Sequence, residues 1–449
     1  MPRARKSTRA APAPIIHWTT GGLAFVCEVD FGSRRQMWHN IQILRLLAVL
    51  PLALCEPAPL ASALEQPANQ VAPSSAGFQE FLQSLWPLAE QQGVTRGTFD
   101  AAFVGLTPDP AAPAASNRQA EFDKPLKSYL DEAVSSRRIA RGRECLKRWH
   151  DELQEIERRF GVPREILLAA FGIETDFGNA KGDKDVVRSL ATLAYRRQDR
   201  PVFRDELISA LVILDHGGVA RAAMIGSWAG AMGGPQFLPS AFLKYAVSYT
   251  GRGPPDIWNN DLDSLASIAN FLRQSGWQPG LSWGTEAILP KNFGFASLHG
   301  TFAAFAAEGV KSANGDPFPQ GDATLFLPSG AAGPAFLLSA NYWILKAYNN
   351  SDSYALSLGL LAQRIEGKPV FRGHWPEGQA FLSRTQKAEI QRLLGSLGFY
   401  RGPIDGRFGQ ASRDAIHTYQ ISVEAHPADG YGSLDILGRL RKSAETPTR

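Results

Sequence analysis

The segment Phe-Gly-Val-Pro-Arg-Glu-Ile-Leu-Leu-Ala-Ala-Phe-Gly-Ile-Glu-Thr-Asp-Phe-Gly, from Phe160 to Gly178, constrains the fold more than any other stretch of the chain. Pro163 suits the first turn of a helix, where an N–H has no partner in any case. Ile166, Ala170, Ile173 and Phe177 recur at helical spacing and make an apolar stripe that other elements must cover. Gly178 is the expected stop. Glu174 falls beside the stripe, next to the positions of Leu167 and Phe171. From this helix alone two readings stand. Glu174 is either a boundary residue of an amphipathic helix or a carboxylic acid whose apolar neighbours help it hold a proton for catalysis.

A second segment, Gly226-Ser-Trp-Ala-Gly-Ala-Met-Gly-Gly-Pro-Gln-Phe-Leu-Pro-Ser240, is rich in small residues that let backbone approach a ligand closely. It has no lysine and no GK[ST] ending, so it is not a phosphate loop. Ser227 and Gln236 offer neutral hydrogen bonds suited to sugar hydroxyl and acetamido groups. A plain glycine-rich turn is the other reading.

The remaining organisation follows from length and periodicity. A chain of 449 residues exceeds one ordinary domain. Phe78 to Phe103 has helical spacing with a stop at Gly93, Thr107 to Ser116 is a Pro/Ala loop, and Phe122 to Phe160 reads as one or two long charged helices. Thr285–Leu289 and Ala323–Leu327 read as strands, and a turn over residues 329–334 precedes Ala335–Leu338. Helical spacing returns from Tyr342 to Ile365. The expected class is therefore mainly α (α+β), with a small β-rich insertion in a largely helical domain.

The start has the pattern of an export signal. A basic flank is followed by the apolar run Leu46 to Leu54 and by Ala61-Ser62-Ala63, a small-x-small cleavage site, with Met37 as the expected true start. The run is too short to span a bilayer. Residues 1–63 carry seven Lys/Arg and three Asp/Glu, so the rest of the chain holds 40 of each and the formal +4 belongs to the leader. A neutral mature chain does not favour nucleic acid as a partner. Cys27 and Cys55 fall in the leader, which leaves Cys145 alone, without a disulfide or a Cys/His metal spacing. Cys55 also admits an outer-membrane lipoprotein reading, against which Leu54 stands, since the preceding residue is usually small. The expected location is the periplasm, with no stable membrane insertion after cleavage.

With these motifs in place, the chain resembles the membrane-bound lytic murein transglycosylase B family. The resemblance rests on FGVPREILLAAFGIETDFG, LATLAY (Leu190 to Tyr195), GSWAGAMGGPQFLPS, SIANFLRQSGW (Ser267 to Trp277) and AYNNSDSYA (Ala347 to Ala355), in that order. It implies a lysozyme-like catalytic domain over residues 64–366 with Glu174 as its single catalytic acid/base. It also implies substrate contacts from Ser227 and Gln236 near that Glu, and from Tyr348, Asn349 and Tyr354 on the opposite side of a groove. Phe271 stands where the family often has Tyr, so one ring hydroxyl is missing. The implied substrate is the peptidoglycan glycan strand. Glu174 would protonate the oxygen leaving N-acetylmuramic acid, then take the proton from that sugar's 6-hydroxyl as it closes a 1,6-anhydro ring. Ordinary glycosidases use two carboxylates instead. Asp176 is two residues on, the wrong face of a helix, and is expected to serve structure.

The resemblance also brings an EF-hand-like calcium loop at Ser248–Asn259. Ser248 at its first position and Arg252 at its fifth are poor company for calcium, which wants carboxylates at alternate positions, so no metal or other cofactor is expected.

After a linker at 367–381, residues 382–442 read as three short helices. The signature IQRLLGSLGFYRGPIDGRFGQASRDAIHTYQ resembles the small three-helix peptidoglycan-binding module, with Ser412 where Thr is commoner. Such a module would hold the enzyme on the wall and raise the local substrate concentration. The sequence names no partner among cell-wall synthesis or division proteins. Two other functions remain as alternatives: a hydrolytic muramidase on the same scaffold, and a non-catalytic wall-binding protein.

Overall fold

The computed structural model describes residues 75–111, 124–369 and 371–445. The leader expected at 1–63, with Met37, Cys27 and Cys55, lies outside the described residues. The described residues open on α1 (Ser75–Ser84), α2 (Trp86–Gln91) and α3 (Arg96–Phe103), and Gly93 takes the left-handed conformation (φ 83°) between the last two. The charged stretch up to Phe160 forms three helices rather than one or two: α4 (Leu126–Ala133), α5 (Ser136–Arg148) and α6 (His150–Phe160). The breaks are local. Ser135 caps α5 by accepting a hydrogen bond from the Arg138 N–H, and Trp149 leaves helical geometry at φ −111° and ψ 36°.

Next comes α7 (Arg164–Thr175), for which Pro163 supplies the cap position. Every residue from Ile166 to Gly172 is buried. The expected stripe is thus one side of a helix covered all round, as an apolar helix inside a domain must be. The helix also ends before Gly178. Asp176, Phe177 and Gly178 follow one another with φ of 49°, 59° and 83°. The reversal folds the Phe177 ring onto Gly172, where a Cβ would lie 2.6 Å from it. Thr175 Oγ1 accepts from the Gly178 N–H at 3.0 Å and closes the turn.

β1 (Lys184–Asp185) pairs antiparallel with β2 (Ile225–Gly226), and between them α8 (Val186–Arg196) packs on α9 (Pro201–Asp215). α10 (Pro239–Tyr245) and α11 (Asp261–Gln274) follow, and α11 lies against α7. The insertion is an antiparallel sheet of β3 (Gly284–Ile288), β4 (His299–Thr301), β5 (Lys311–Ser312), β6 (Asp322–Phe326) and β7 (Ala335–Leu338), in the order β4-β6-β7-β3-β5, with α12 (Phe302–Ala307) beside it. Both strands expected at Thr285–Leu289 and Ala323–Leu327 are present, each one residue earlier than read. Alternation sets the faces of β7: Phe336 and Leu338 join the helical core, while Ala335 and Leu337 join a separate core inside the insertion. The chain then returns through α13 (Ala340–Asn349) and α14 (Asp352–Glu366), and α14 packs along α7.

The final module holds α15 (Arg384–Ser396), α16 (Gln410–Ser422) and α17 (Leu434–Glu445) around Ile390, Leu394, Ile416, Tyr419, Leu437 and Leu440. Its Ile-Asp-Gly turn is pinned by buried Gln391, whose Oε1 accepts from the Asp405 and Gly406 N–H groups and whose Nε2 donates to the Arg407 carbonyl. The stretch expected as a linker lies along the sheet. The Arg372 and Gly373 N–H groups donate to the Glu286 carboxylate at 2.6–2.8 Å, and Phe371 and Trp375 pack on the helical core. The module itself meets the insertion, with the Ala331 N–H donating to Asp429 at 2.9 Å and His417 Nε2 at 2.9 Å from the Phe295 carbonyl.

Candidate active site

Glu174 stands half-buried in the last turn of α7. Its Oε1 accepts a hydrogen bond of 2.7 Å from the hydroxyl of Tyr354, which the first turn of α14 brings in from 180 residues away. Ser351 caps that turn by accepting from the Tyr354 N–H at 3.3 Å. The Tyr354 ring is buried. Burial first, and the neighbouring Glu174 charge second, push its phenol well above the usual range. It therefore stays protonated and acts as a donor, which orients the carboxyl group.

Behind this pair runs a row of rings. Tyr348 stacks on Tyr354 with centroids 6.0 Å apart and planes 13° from parallel, and its hydroxyl donates to the Pro235 carbonyl at 2.7 Å. Phe271 meets Tyr348 and Tyr245 edge-on, each at 4.8 Å. The missing hydroxyl at Phe271 thus leaves the packing of the row intact. Asn349 follows Tyr348 at the end of α13, half-buried, before Asn350 turns the chain at φ 22°.

The glycine-rich segment forms a tight loop fastened to the catalytic helix. Met232 bridges to both Gly226 and Phe237. Ser227 Oγ accepts from the Ala229 and Ala231 N–H groups at 3.3 and 3.1 Å and closes the first turn. Gln236 sits at φ 51°, and its Nε2 donates to the carbonyls of Gly233 (2.9 Å) and Lys181 (3.1 Å). Gly234 passes so near α7 and α11 that a Cβ there would lie 2.4 Å from Ser264 Oγ and 2.8 Å from the Phe171 ring. Thr175 Oγ1 reaches the Gly234 carbonyl at 3.3 Å and so ties the loop to the residue after Glu174.

The fold thus brings Tyr354 directly onto Glu174, with Tyr348 and Phe271 behind it. It binds Tyr348 to Pro235, the neighbour of Gln236. The Ser227 hydroxyl braces the loop itself, and the Gln236 amide ties it to the Lys181 carbonyl just past the catalytic helix. Asp176 forms a hydrogen-bonded ion pair with Arg141 and lies 3.6 Å from Arg137, a structural engagement. Sequence reasoning missed Thr175, Ser264 and the wedge at Gly234, although two adjacent glycines facing an apolar helix were a usable signal for the last.

In the loop where the resemblance brings calcium, the acidic side chains accept backbone amides. Both oxygens of buried Asp263 accept backbone N–H groups, from Tyr249 and Asp256, each at 2.8 Å. Asp256 Oδ1 accepts from the Trp258 and Asn259 N–H groups at 3.0 and 2.9 Å. Ser248 and Arg252, joined through the Arg252 carbonyl, complete a loop that closes on its own amides.

A buried central helix ending in a half-buried glutamate, a glycine loop beside it and a small antiparallel sheet define the class of lysozyme-like lytic transglycosylases. The chain belongs to the family of the transglycosylase SLT domain, whose model matches residues 77–363, and it is an enzyme of that family. A putative peptidoglycan binding domain matches residues 370–424. The crystal structure of SltB3 from Pseudomonas aeruginosa, in complex with NAG-anhNAM-pentapeptide, is similar with a TM-score of 0.74 and 40% identity, over 81% of this chain and 99% of that one. Soluble lytic transglycosylase SltB1 from the same organism matches with a TM-score of 0.55 and 28% identity, over 64% of this chain and 98% of that one. Membrane-bound lytic murein transglycosylase B of Escherichia coli (strain K12) is 28% identical over 243 residues, 53% of this chain and 66% of the relative. Among the described residues no helix is long and apolar enough to cross a membrane.

Proposed function

We propose that this chain cleaves the β-1,4 bond between N-acetylmuramic acid and N-acetylglucosamine in peptidoglycan and leaves 1,6-anhydro-N-acetylmuramic acid ends. Glu174 is the acid that protonates the leaving oxygen and then, as carboxylate, the base that takes the proton of the attacking 6-hydroxyl. The observation that carries this reading is the 2.7 Å hydrogen bond from the buried Tyr354 hydroxyl to Glu174. A carboxylate that must act as base after acting as acid benefits from a fixed donor, and nothing in that role calls for a second carboxylate. Attack by the sugar's own hydroxyl is intramolecular, which removes much of the entropic barrier. Asp176, the nearest acidic residue in sequence, is taken up by Arg141 and Arg137. The relative SltB3 was crystallised with NAG-anhNAM-pentapeptide, a ligand that carries an anhydro sugar. Ser227, Gln236 and Asn349 are proposed to orient the muramic acid, and the row Phe271, Tyr348 and Tyr354 to wall the site. The C-terminal module is proposed to hold the enzyme on the wall, and residues 1–63 to direct it to the periplasm.

Mass analysis of the products from purified sacculi tests the reading. Muropeptides should end in the anhydro sugar, each one water lighter than a muramidase product. Reducible muramic acid ends as the main product would transfer the protein to the hydrolytic reading.

Metal independence is a separate expectation. A ligand that binds only the folded state raises the melting temperature. With Asp263 spent on backbone amides and Arg252 in the loop, millimolar calcium should leave the melting temperature where magnesium leaves it. A rise with calcium alone in differential scanning calorimetry would show that the loop opens to take the ion.

A further inference from the structure

The module's α16 meets the catalytic domain through His417 on the Phe295 carbonyl, Asp414 on His299, and Arg413, which reaches the start of the helix that carries Tyr354. Arg413 NH1 donates to Asp352 Oδ2 at 2.8 Å. Asp352 Oδ1 accepts from Lys346 Nζ at 2.8 Å and from the Tyr342 hydroxyl at 3.1 Å. The three charged side chains are only 10–13% exposed, and Tyr342 is fully buried. The Arg413 guanidinium also lies over the Phe326 ring, 4.8 Å from its centroid. These are not surface ion pairs of negligible worth. A charge taken out of water is tolerated only when it is paired and hydrogen-bonded. Burial works against an ionised Asp352, yet Arg413 and then Lys346 outweigh it and hold the carboxyl well below the usual carboxylate range.

Position gives this cluster its consequence. Asp352 is the first residue of α14, where a negative charge suits the helix N-terminus, and Tyr354 stands in the same turn. Whatever fixes Asp352 fixes the turn from which the Tyr354 hydroxyl reaches Glu174. Lys346 and Tyr342 come from α13 of the same domain, but Arg413 comes from the wall-binding module, 61 residues further on. We infer that Arg413 is a positioning residue for the active site, through which the wall-binding module, seated on Asp352, holds the first turn of α14 and with it the Tyr354–Glu174 hydrogen bond. The module is then part of the catalytic machinery's support as well as an anchor. The inference rests on the reading of Glu174 as the acid/base.

The test is a double-mutant cycle in the full chain, with initial rates on soluble glycan fragments resolved into kcat and KM. Arg413→Met should lower kcat about tenfold with KM nearly unchanged and with sedimentation on sacculi unchanged. Tyr354→Phe should lower kcat at least as much, and the double variant should be no slower than Tyr354→Phe alone, since both remove one interaction. Arg413→Lys keeps a cation in the buried cluster, and so the fold. It should restore most of kcat and give a smaller effect of the same sign in the same cycle. Additive losses in either cycle, or wild-type kcat in Arg413→Met, would overturn the inference. Loss of activity in Glu174→Gln beside an unaffected Arg413→Met overturns this inference alone, whereas an active Glu174→Gln overturns the assignment of the site as well.

Discussion

Glu174→Gln should reduce the release of muropeptides from sacculi by at least about a thousandfold while leaving the fold and wall binding unchanged. Proton transfer by a positioned side chain contributes roughly 10²–10⁴-fold to a rate. Here one carboxyl group is asked to give a proton in one half of the reaction and take one in the other, so the loss falls toward the upper end. The amide keeps the volume of the carboxyl group at the end of α7, and its carbonyl oxygen can still accept from the Tyr354 hydroxyl now bonded to Oε1 at 2.7 Å. Packing at the helix end depends on other groups, namely Thr175 and the Phe177 ring against Gly172. The melting temperature and sedimentation with sacculi should therefore match the wild type, which separates lost chemistry from lost structure. Near wild-type lysis by this variant would end the assignment of Glu174 as the acid/base.

How far the sequence spoke depended on the range of the interaction. The helix around Glu174 was legible because the apolar spacing from Ile166 to Ile173 is local, whereas the role given to Glu174 came from the resemblance. The strands near Thr285 and Ala323 were legible for the same reason, with boundaries off by one residue. The end of α7 was not. Gly178 is the obvious stop, but the chain reverses at Asp176 and Phe177, residues that accept a left-handed backbone because the Phe177 ring finds a slot at Gly172. That slot is a tertiary fact. The break at Trp149 has no glycine or proline to announce it. The roles of Tyr348 and Tyr354 came from a resemblance, since two tyrosines in a helical stretch carry no periodic sign of which one meets a glutamate 180 residues away. The Arg413–Asp352 contact had no signal at all. Read alone, Arg413 is a solvated residue of a small helical module, and only the docking of that module shows where its charge goes.

Gly234→Ala should destabilise the catalytic domain by about 3 kcal/mol and lower turnover by roughly a hundredfold, although Gly234 is itself no acid, base or hydrogen-bonding side chain. An added Cβ would stand 2.4 Å from Ser264 Oγ, 2.7 Å from Ser264 Cβ and 2.8 Å from the Phe171 ring. None of these can swing into solvent, since Ser264 and Phe171 are fully buried, and Ser264 Oγ is already donated to the carbonyls of Ile257 and Asn260. The glycine loop is the part that must yield. It is also the part tied to Thr175, next to Glu174, and to Tyr348 through the Pro235 carbonyl. Moving it by about an ångström therefore disturbs both sides of the acid/base, and a displacement of that size costs on the order of 10² in rate. Gly438→Ala is the matching control. It lies inside α17 with open space around its Cβ, where alanine should be neutral or stabilising by about 0.5–1 kcal/mol. Chemical denaturation and initial rates on the same preparations check both variants. A Gly234→Ala protein as stable and as fast as the Gly438→Ala control would mean that the loop is free to part from α7 without cost, and that the close approach at Gly234 plays no part in holding the site.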